Sequence, residues 1–379
     1  MNRREFLKGS SLAFLTSAAG LNISANERKR KLIVIQLEGG LDGLSLVVPH
    51  SEHKLFDLRR NLVPDDLIKI SNEFALHGAL KTFSNLVATN QGAVIHATNF
   101  PYTKRSHFEG QNVMQGGGKP FEYQSGWLGR ALSLLSHDPT ALSLDVPLIV
   151  RGSDRVTNYM PSLITAVNLD RENSFISKIS ALHEGVVQEK LDSLRLRYAG
   201  KGPNNRTGNQ WVKGRSPTEL AAYAGNELSK PNGPDAVIIT IPEFDTHSNQ
   251  ISRMKKLVNE LDQVIESFKN GLGPVWDDTL LVTLTEFGRT VEENGAKGTE
   301  HGYGSAALLA GGLVTKTEVM TDWPGLRQLH EDRDLKATID YRSVCSACLE
   351  IAFGLDHEEI ATKVFFEPKL PRLKQHIFG

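Results

Sequence analysis

The sequence predicts an α/β protein built on a mostly parallel sheet, and three observations carry that prediction. Apolar runs of strand length recur along the chain as continuous blocks rather than alternating patterns, as expected of strands buried on both faces. Amphipathic helical stretches fall between several of them, giving the strand–helix–strand order of a doubly wound sheet. Loops bearing carboxylates and histidines follow the apolar runs, at the strand ends where open α/β sheets bind ligands.

The chain opens with MNRREFLKGSSLAFLTSAAGLNISA. Arg3 and Arg4 precede Phe6-Leu7-Lys8, a mildly apolar stretch runs from Leu12 to Leu21, and small residues follow at Ser24-Ala25. This is the pattern of an export signal, and the twin arginine points to the twin-arginine translocation machinery as a partner. Residues 1–25 are expected to be that signal, cleaved after Ala25 or kept as an anchor, which makes the protein periplasmic or extracellular. No cysteine follows the apolar stretch, so a lipid anchor is not expected.

A single α/β domain is expected over 30–379. LIVIQL (32–37) reads as its first strand, followed by GAVIHA (92–97), VPLIV (146–150), AVIITI (236–241), TLLVTL (279–284) and SAALLA (305–310). Ile251, Met254, Leu257, Val258, Leu261, Val264, Ile265 and Phe268 recur at three and four residues. They predict an amphipathic helix over one sheet face, with Gly271 ending it. Residues 153–230 interrupt the rhythm with helical patterns at about 173–198 and 217–229, and read as a helical insertion on the core.

Composition narrows the function classes. A chain of 379 residues can bury a sizeable core. A net charge of −1 gives no electrostatic case for nucleic acid or an anionic membrane surface. Beyond the N-terminus no apolar run is long enough to cross a bilayer, so the mature chain is expected to have no membrane span. The only cysteines, Cys345 and Cys348, sit in DYRSVCSACLEIAFGL with helical apolar spacing. They read as two small core residues on one helix face, with a redox motif, half a zinc site or an oxidised pair as the alternatives.

Four clusters can carry chemistry. LEGGLDGLS places Asp42 in a glycine turn after the first strand, as a metal or phosphate-orienting carboxylate or simply a turn residue. PEFDTHSNQ places Asp245 and His247 two apart before the long helix. Together they suit a divalent site, or Asp245 or Thr246 caps the helix. TEFGRT with GTEHGYG carries Glu286 and His301, a carboxylate and an imidazole that can form a metal site, an acid/base pair or a buried salt bridge; Arg289 and Glu300 stand in the same blocks. TKRSHFEGQ puts Ser106 where a helix begins, after Lys104 and Arg105 and before His107. A serine there is a helix cap or a nucleophile. Gly-x-Ser-x-Gly is absent, so a nucleophile elbow of the α/β-hydrolase type is not expected.

Eight blocks carry a family resemblance. LEGGLDGLSLVVP, ALHGAL, RSHFEGQ, SGWLGRAL, FDTHSNQ, LTEFGRT, GTEHGYGSAALLAGG and TDWPGL stand in order between about residue 30 and about residue 355. They resemble the blocks of the family known as domain of unknown function 1501, typically exported with twin-arginine signals. That family looks like a branch of the alkaline phosphatase and sulfatase superfamily. The resemblance implies a three-layer α/β/α sandwich, alkaline phosphatase-like, with a divalent-metal site at the strand ends. By position, Asp42 resembles the first-strand metal aspartate, and Asp245 with His247 the ligands of the next metal loop. Glu286 stands where the superfamily usually has an aspartate, His301 resembles the late metal histidine, and Ser106 resembles the nucleophile at a helix start. Two departures are visible: Phe287 stands where a histidine often follows the aspartate, and Asp245 and His247 are more closely spaced than usual.

The expected function is therefore exported, metal-dependent hydrolysis of phosphate or sulfate esters. Asp42, Asp245, His247, Glu286 and His301 would hold one or two divalent ions (zinc, calcium, magnesium or manganese). Ser106 or an activated water would attack, and Arg105 and Arg289 would clamp the anionic ester. The alternative is a non-catalytic exported protein that keeps the fold as a partner in an envelope complex.

Overall fold

The computed structural model describes residues 30–137, 139–143, 148–152, 157–159, 216–374 and 378. The expected signal at 1–25 and the helical pattern at about 173–198 lie outside the described residues. In chain order the strands are β1 (Lys31–Leu37), β2 (Val47–Val48), β3 (Leu67–Lys69), β4 (Ala75–His77), β5 (Gly92–Asn99), β6 (Thr140–Ser143) and β7 (Thr157–Tyr159). They continue with β8 (Ala236–Ile241), β9 (Thr279–Leu284), β10 (Ser305–Ala310), β11 (Val319–Met320) and β12 (Ile339–Asp340). The helices that build the layers are α1 (Lys81–Ala88), α2 (His107–Gly116), α3 (Trp127–Leu132), α4 (Pro217–Leu228), α5 (Gln250–Leu272) and α6 (Tyr341–Phe353).

Nine strands form the central sheet in the order β11-β5-β10-β9-β1-β8-β6-β7, with β12 also on β5. β1 lies at its heart, parallel to β8 on one side and β9 on the other. Its seven residues are buried throughout. Successive side chains leave a strand on opposite faces. Leu32 and Val34 enter one core with Val113 and Met114 of α2, Trp127 of α3 and Val344 of α6. Ile33, Ile35 and Leu37 enter the other with Phe83 of α1, Ala221 of α4 and Val258 of α5. The expected α/β/α sandwich with a mostly parallel sheet is thus the observed architecture. A small antiparallel sheet, β2-β4-β3, stands beside it.

Three details differ from the sequence reading. SAALLA, grouped with the parallel strands, becomes β10 and runs antiparallel to both β5 and β9. Residues 285–304 between β9 and β10 contain no helix, and a parallel return needs a crossover. VPLIV was expected as a strand, but its described part, 148–150, is a bend and turn, and the strand is β6 instead. Ile149 and Val150 are buried all the same, and the carbonyls of Ile149 and Arg151 accept the N–H groups of Gly129 and Gly126 at the start of α3. The helix expected to end at Gly271 runs through it to Leu272, with Gly273 as its cap. Gly271 instead lets α5 approach α4: a Cβ there would lie 3.1 Å from the Cα of Gly225. α4 itself is the helix expected at about 217–229, closed at its start by a capping box of Ser216 and Glu219.

Cys345 and Cys348 lie on the buried face of α6, both free. Burial pushes both thiols well up from their ordinary range, so they are inert core residues, as the helical spacing predicts.

One buried histidine sets a pH limit on the fold. His96 on β5 is fully buried, donates from Nε2 to the Val47 carbonyl at 2.9 Å and accepts the Ala97 N–H on Nδ1 at 2.7 Å. Burial lowers its pKa from 6.5 to about 4. A depressed folded-state pKa means stability present above the unfolded value and lost as pH falls towards the folded one. Stability should fall by about 3 kcal/mol between about pH 6.5 and pH 4 through this group alone. Urea unfolding of His96→Gln across that range should show a shallower pH slope than the parent; an identical slope would refute the assignment.

Candidate metal centre

Every predicted site residue sits at one edge of the sheet, because that edge collects the carboxyl ends of the parallel strands. Asp42 follows β1, His107 opens α2 after β5, Asp245 and His247 follow β8, and Glu286 follows β9. His301 precedes β10, whose reversed direction brings its start to the same edge. The excursion from 285 to 304 folds back on itself, bridging Arg289 to His301.

The centre is assembled from three imidazoles and a carboxylate. His107 Nε2 lies 3.0 Å from His301 Nε2, and His247 Nε2 lies 3.0 Å from that same nitrogen. Asp245 Oδ1 lies 2.9 Å from His247 Nε2 and 3.2 Å from His301 Nε2, while Oδ2 lies 3.6 Å from His107 Nε2. Ligand atoms of His107, Asp245 and His301 all fall within 4.8 Å of one another, the one such group among the described residues.

The opposite ring nitrogens fix what these atoms are. His107 Nδ1 meets Glu286 Oε1 at 2.8 Å, His247 Nδ1 meets Glu300 Oε2 at 2.9 Å, and His301 Nδ1 meets the Arg105 carbonyl at 2.9 Å. Each partner accepts, so each Nδ1 carries a proton, and it is the neutral form of each ring that presents an Nε2 lone pair to the centre. Three lone pairs and a carboxylate therefore face a common point. Histidines oriented from behind by carboxylates and a carbonyl are the arrangement that metal ligation uses.

Glu286 is fully buried and reaches the centre through His107. Its Oε1 also accepts the Gly39 N–H at 2.8 Å, and Thr285 Oγ1 donates to its Oε2 at 3.2 Å. Gly39 has φ +116, and a Cβ there would lie 2.3 Å from the Asp245 nitrogen; only glycine lets the turn after β1 come so close. Phe287, where the resemblance leads one to expect histidine, is buried with its ring 4.9 Å from His107 and 5.0 Å from His301. It is an apolar wall behind the rings.

Electrostatics follow the contacts. The Glu286 hydrogen bond raises the His107 pKa above the usual histidine value, and burial lowers that of His301. Burial pushes the Asp245 carboxyl up, but the hydrogen bond and charge of Arg289 outweigh it and hold the group below the usual carboxylate range.

The remaining candidates take other places. Asp42 is 1% exposed, and its Oδ2 accepts from Ser45 Oγ at 2.5 Å, Arg59 Nη1 at 2.6 Å and Gln250 Nε2 at 2.5 Å. It stands outside the histidine cluster as the counter-ion of Arg59. The expected anion clamp is not how the two arginines are used. Arg289 is buried, and its donors go to Asp245 Oδ1, the Gly39 carbonyl, and the hydroxyl and carbonyl of Thr299. Arg105 binds Asp334 and Glu331 through Nε and Nη2. Its backbone, at φ +60, is what aims the carbonyl at His301.

Ser106 occupies the cap position of α2 with extended backbone, but its side chain makes no capping hydrogen bond. Neither Asp245 nor Thr246 caps α5; Asn249 holds that position in a left-handed conformation. Sequence reasoning did not assign His107 and Glu300 to the centre. Both were visible, His107 beside Ser106 in RSHFEGQ and Glu300 beside His301 in GTEHGYG, but nothing local marked them as ligand and support. Arg59 and Gln250 carried no signal at all.

An α/β/α sandwich with a His/Asp centre at its strand ends defines the class. Within it, the chain belongs to the family described as protein of unknown function (DUF1501), whose model matches residues 83–365. No curated protein matches it in sequence. Among solved structures it is similar to a protein in the alkaline phosphatase superfamily from Vibrio parahaemolyticus, at 12% identity and TM-score 0.37 over 77% of this chain and 62% of that one. It is similar also to the soluble domain of lipooligosaccharide phosphoethanolamine transferase A from Neisseria meningitidis, at 12% identity and TM-score 0.40 over 91% and 94% of the two chains. A third is the C-terminal periplasmic domain of EcEptC from Escherichia coli in complex with Zn, at 10% identity and TM-score 0.40 over 92% and 89%.

Glu300 is half-exposed and supports His247 from outside the core. Glu300→Ala should leave the fold intact and weaken zinc binding by about 10- to 100-fold, the usual loss for an orienting partner of a ligand histidine. A competition titration against a chromogenic chelator reads this directly; unchanged affinity would remove Glu300 from the centre.

Proposed function

We propose that the protein is an exported, metal-dependent hydrolase of phosphate or sulfate esters. One observation carries this: the Nε2 atoms of His107, His247 and His301 and the carboxylate of Asp245 face one another with every Nδ1 already bonded. The donor set fits a divalent ion. Three imidazoles and one carboxylate favour zinc over calcium or magnesium, which prefer all-oxygen sites. These four residues would hold such an ion, which would supply Lewis acidity toward an ester oxygen and screen charge on the transferred group.

The chain's own groups do the rest. Asp245 and the three histidines hold the centre, while Glu286, Glu300 and the Arg105 carbonyl keep the rings from turning. Phe287 keeps water from the back of His107 and His301. Ser106 is the candidate nucleophile: the residue is partly exposed, its side chain makes no capping hydrogen bond, and it adjoins ligand His107. It sits at the start of a ten-residue helix, whose N-terminal N–H groups and dipole favour an anion. A serine hydroxyl is weakly nucleophilic until activated, so its reactivity depends on the centre beside it.

Export rests on the twin-arginine pattern at 1–25, and no helix among the described residues is long and apolar enough to cross a membrane. Fractionation of cells carrying the full chain, with Arg3→Lys/Arg4→Lys as the control, tests that part; equal cytoplasmic retention of both would oppose it. The non-catalytic alternative draws on Phe287 and on Arg289, whose Nε, Nη1 and Nη2 all donate to groups of the protein itself.

Zinc-loaded protein should hydrolyse p-nitrophenyl phosphate or p-nitrophenyl sulfate and lose that activity to a chelator. Ser106→Ala should abolish turnover, keep the metal and cost well under about 1 kcal/mol, since no capping bond is lost. Bound zinc with no turnover of either ester would favour the non-catalytic protein; full activity in Ser106→Ala would exclude the serine.

A further inference from the structure

The fold resemblance implies a metal aspartate after the first strand, and a site of one or two ions. Asp42 occupies that position, yet its surroundings are those of an ion pair. Arg59 is 1% exposed and all three of its nitrogens donate within the protein: Nε to the Val291 carbonyl at 2.7 Å, Nη2 to the Thr290 carbonyl at 2.5 Å, and Nη1 to Asp42 at 2.6 Å. A guanidinium is always charged, so Asp42 is already neutralised. Its Oδ1, buried without a hydrogen-bond partner, joins no group of three ligand side chains among the described residues.

Asp245 has the same kind of companion in Arg289, at 2.7 Å and fully buried. A buried polar path joins the two pairs. Gln250 donates to Asp42 and accepts from the hydroxyls of Thr246 and Thr299, and Thr299 in turn accepts from Arg289. Four carboxylates stand around this region: Asp42, Asp245, Glu286 and Glu300. Two guanidiniums, Arg59 and Arg289, answer two of them. Of the other two, Glu286 is fully buried and supports ligand His107, while Glu300 is half-exposed and solvated, so the buried negative charge left is that of Glu286. Buried charge has to be matched; one divalent ion at the centre already covers it, and a second would leave positive charge in excess.

We propose that the centre is mononuclear, with Arg59 and Arg289 supplying the fixed positive charge that a second divalent ion would supply, and Asp42 acting as a structural counter-ion rather than a ligand. This rests on the metal reading above and deepens it. The same argument makes Asp42 a positioning residue, linked to Asp245 through Gln250, Thr299 and Arg289 and through Gln250 and Thr246.

The test is metal stoichiometry of the full chain, loaded with zinc, freed of excess by gel filtration, and measured by elemental analysis and native mass spectrometry. One ion per chain is expected. His301→Ala should weaken binding by more than about 100-fold, beyond the loss typical of an orienting partner. Asp42→Asn should still bind one ion, with affinity changed by no more than about tenfold, the lower end of that range. Removing one partner of a buried pair can unfold a protein, so Asp42→Leu/Arg59→Met, which removes both charges, is measured beside it. One ion in either folded variant supports the proposal. Two ions in the parent, or loss of the ion from folded Asp42→Leu/Arg59→Met, overturns it while leaving the metal reading intact. No ion in the parent overturns the metal reading itself.

Discussion

The ring of His301 has one orientation open to it. Its Nδ1 proton is held by the Arg105 carbonyl at 2.9 Å, and the far nitrogen must then point at Asp245 and at two further imidazole nitrogens, each 3.0 Å away. Glu286 and Glu300 impose the same choice on His107 and His247. Nitrogens brought this close need a shared proton or a bound cation between them. The surrounding fold maintains that constraint: β9 ends beside Glu286, α2 begins at His107, and the reversed β10 carries His301 back to the edge where the parallel strands end.

Around this point the protein separates two kinds of charge. Asp42 with Arg59 and Asp245 with Arg289 are matched by guanidiniums buried beside them. Glu286 and Glu300 face imidazole N–H groups instead and lend basicity to the rings. The turn after β1 is drawn in by both systems, through the Gly39 N–H on Glu286 and the Gly39 carbonyl on Arg289. Geometry at the centre therefore depends on buried residues behind it, Arg59, Arg289 and Glu286 among them.

Much of this was legible in the sequence. Continuous apolar runs located β1, β5, β8, β9 and β10 to within a residue or two, because strands buried on both faces have no polar alternation to blur them. The placement of Asp245, His247, Glu286 and His301 after such runs brought them to one edge. What could not be read locally is pairing. Strand direction depends on the connection, which is why β10 was misjudged. The turn at 148–150 is as apolar as a strand, because it is buried against α3. Asp42 looked like a ligand because its partner, Arg59, is seventeen residues further along the chain. Arg105 and Arg289 looked like free cations because their acceptors come from other loops.

The most direct test is anomalous diffraction at the zinc edge on crystals of the zinc-loaded protein. The account predicts one peak, with His107, His247 and His301 Nε2 and an Asp245 oxygen at about 2.0–2.2 Å, and Asp42 still bonded to Arg59. A peak centred on Asp42, or one that leaves out the histidines, would contradict it.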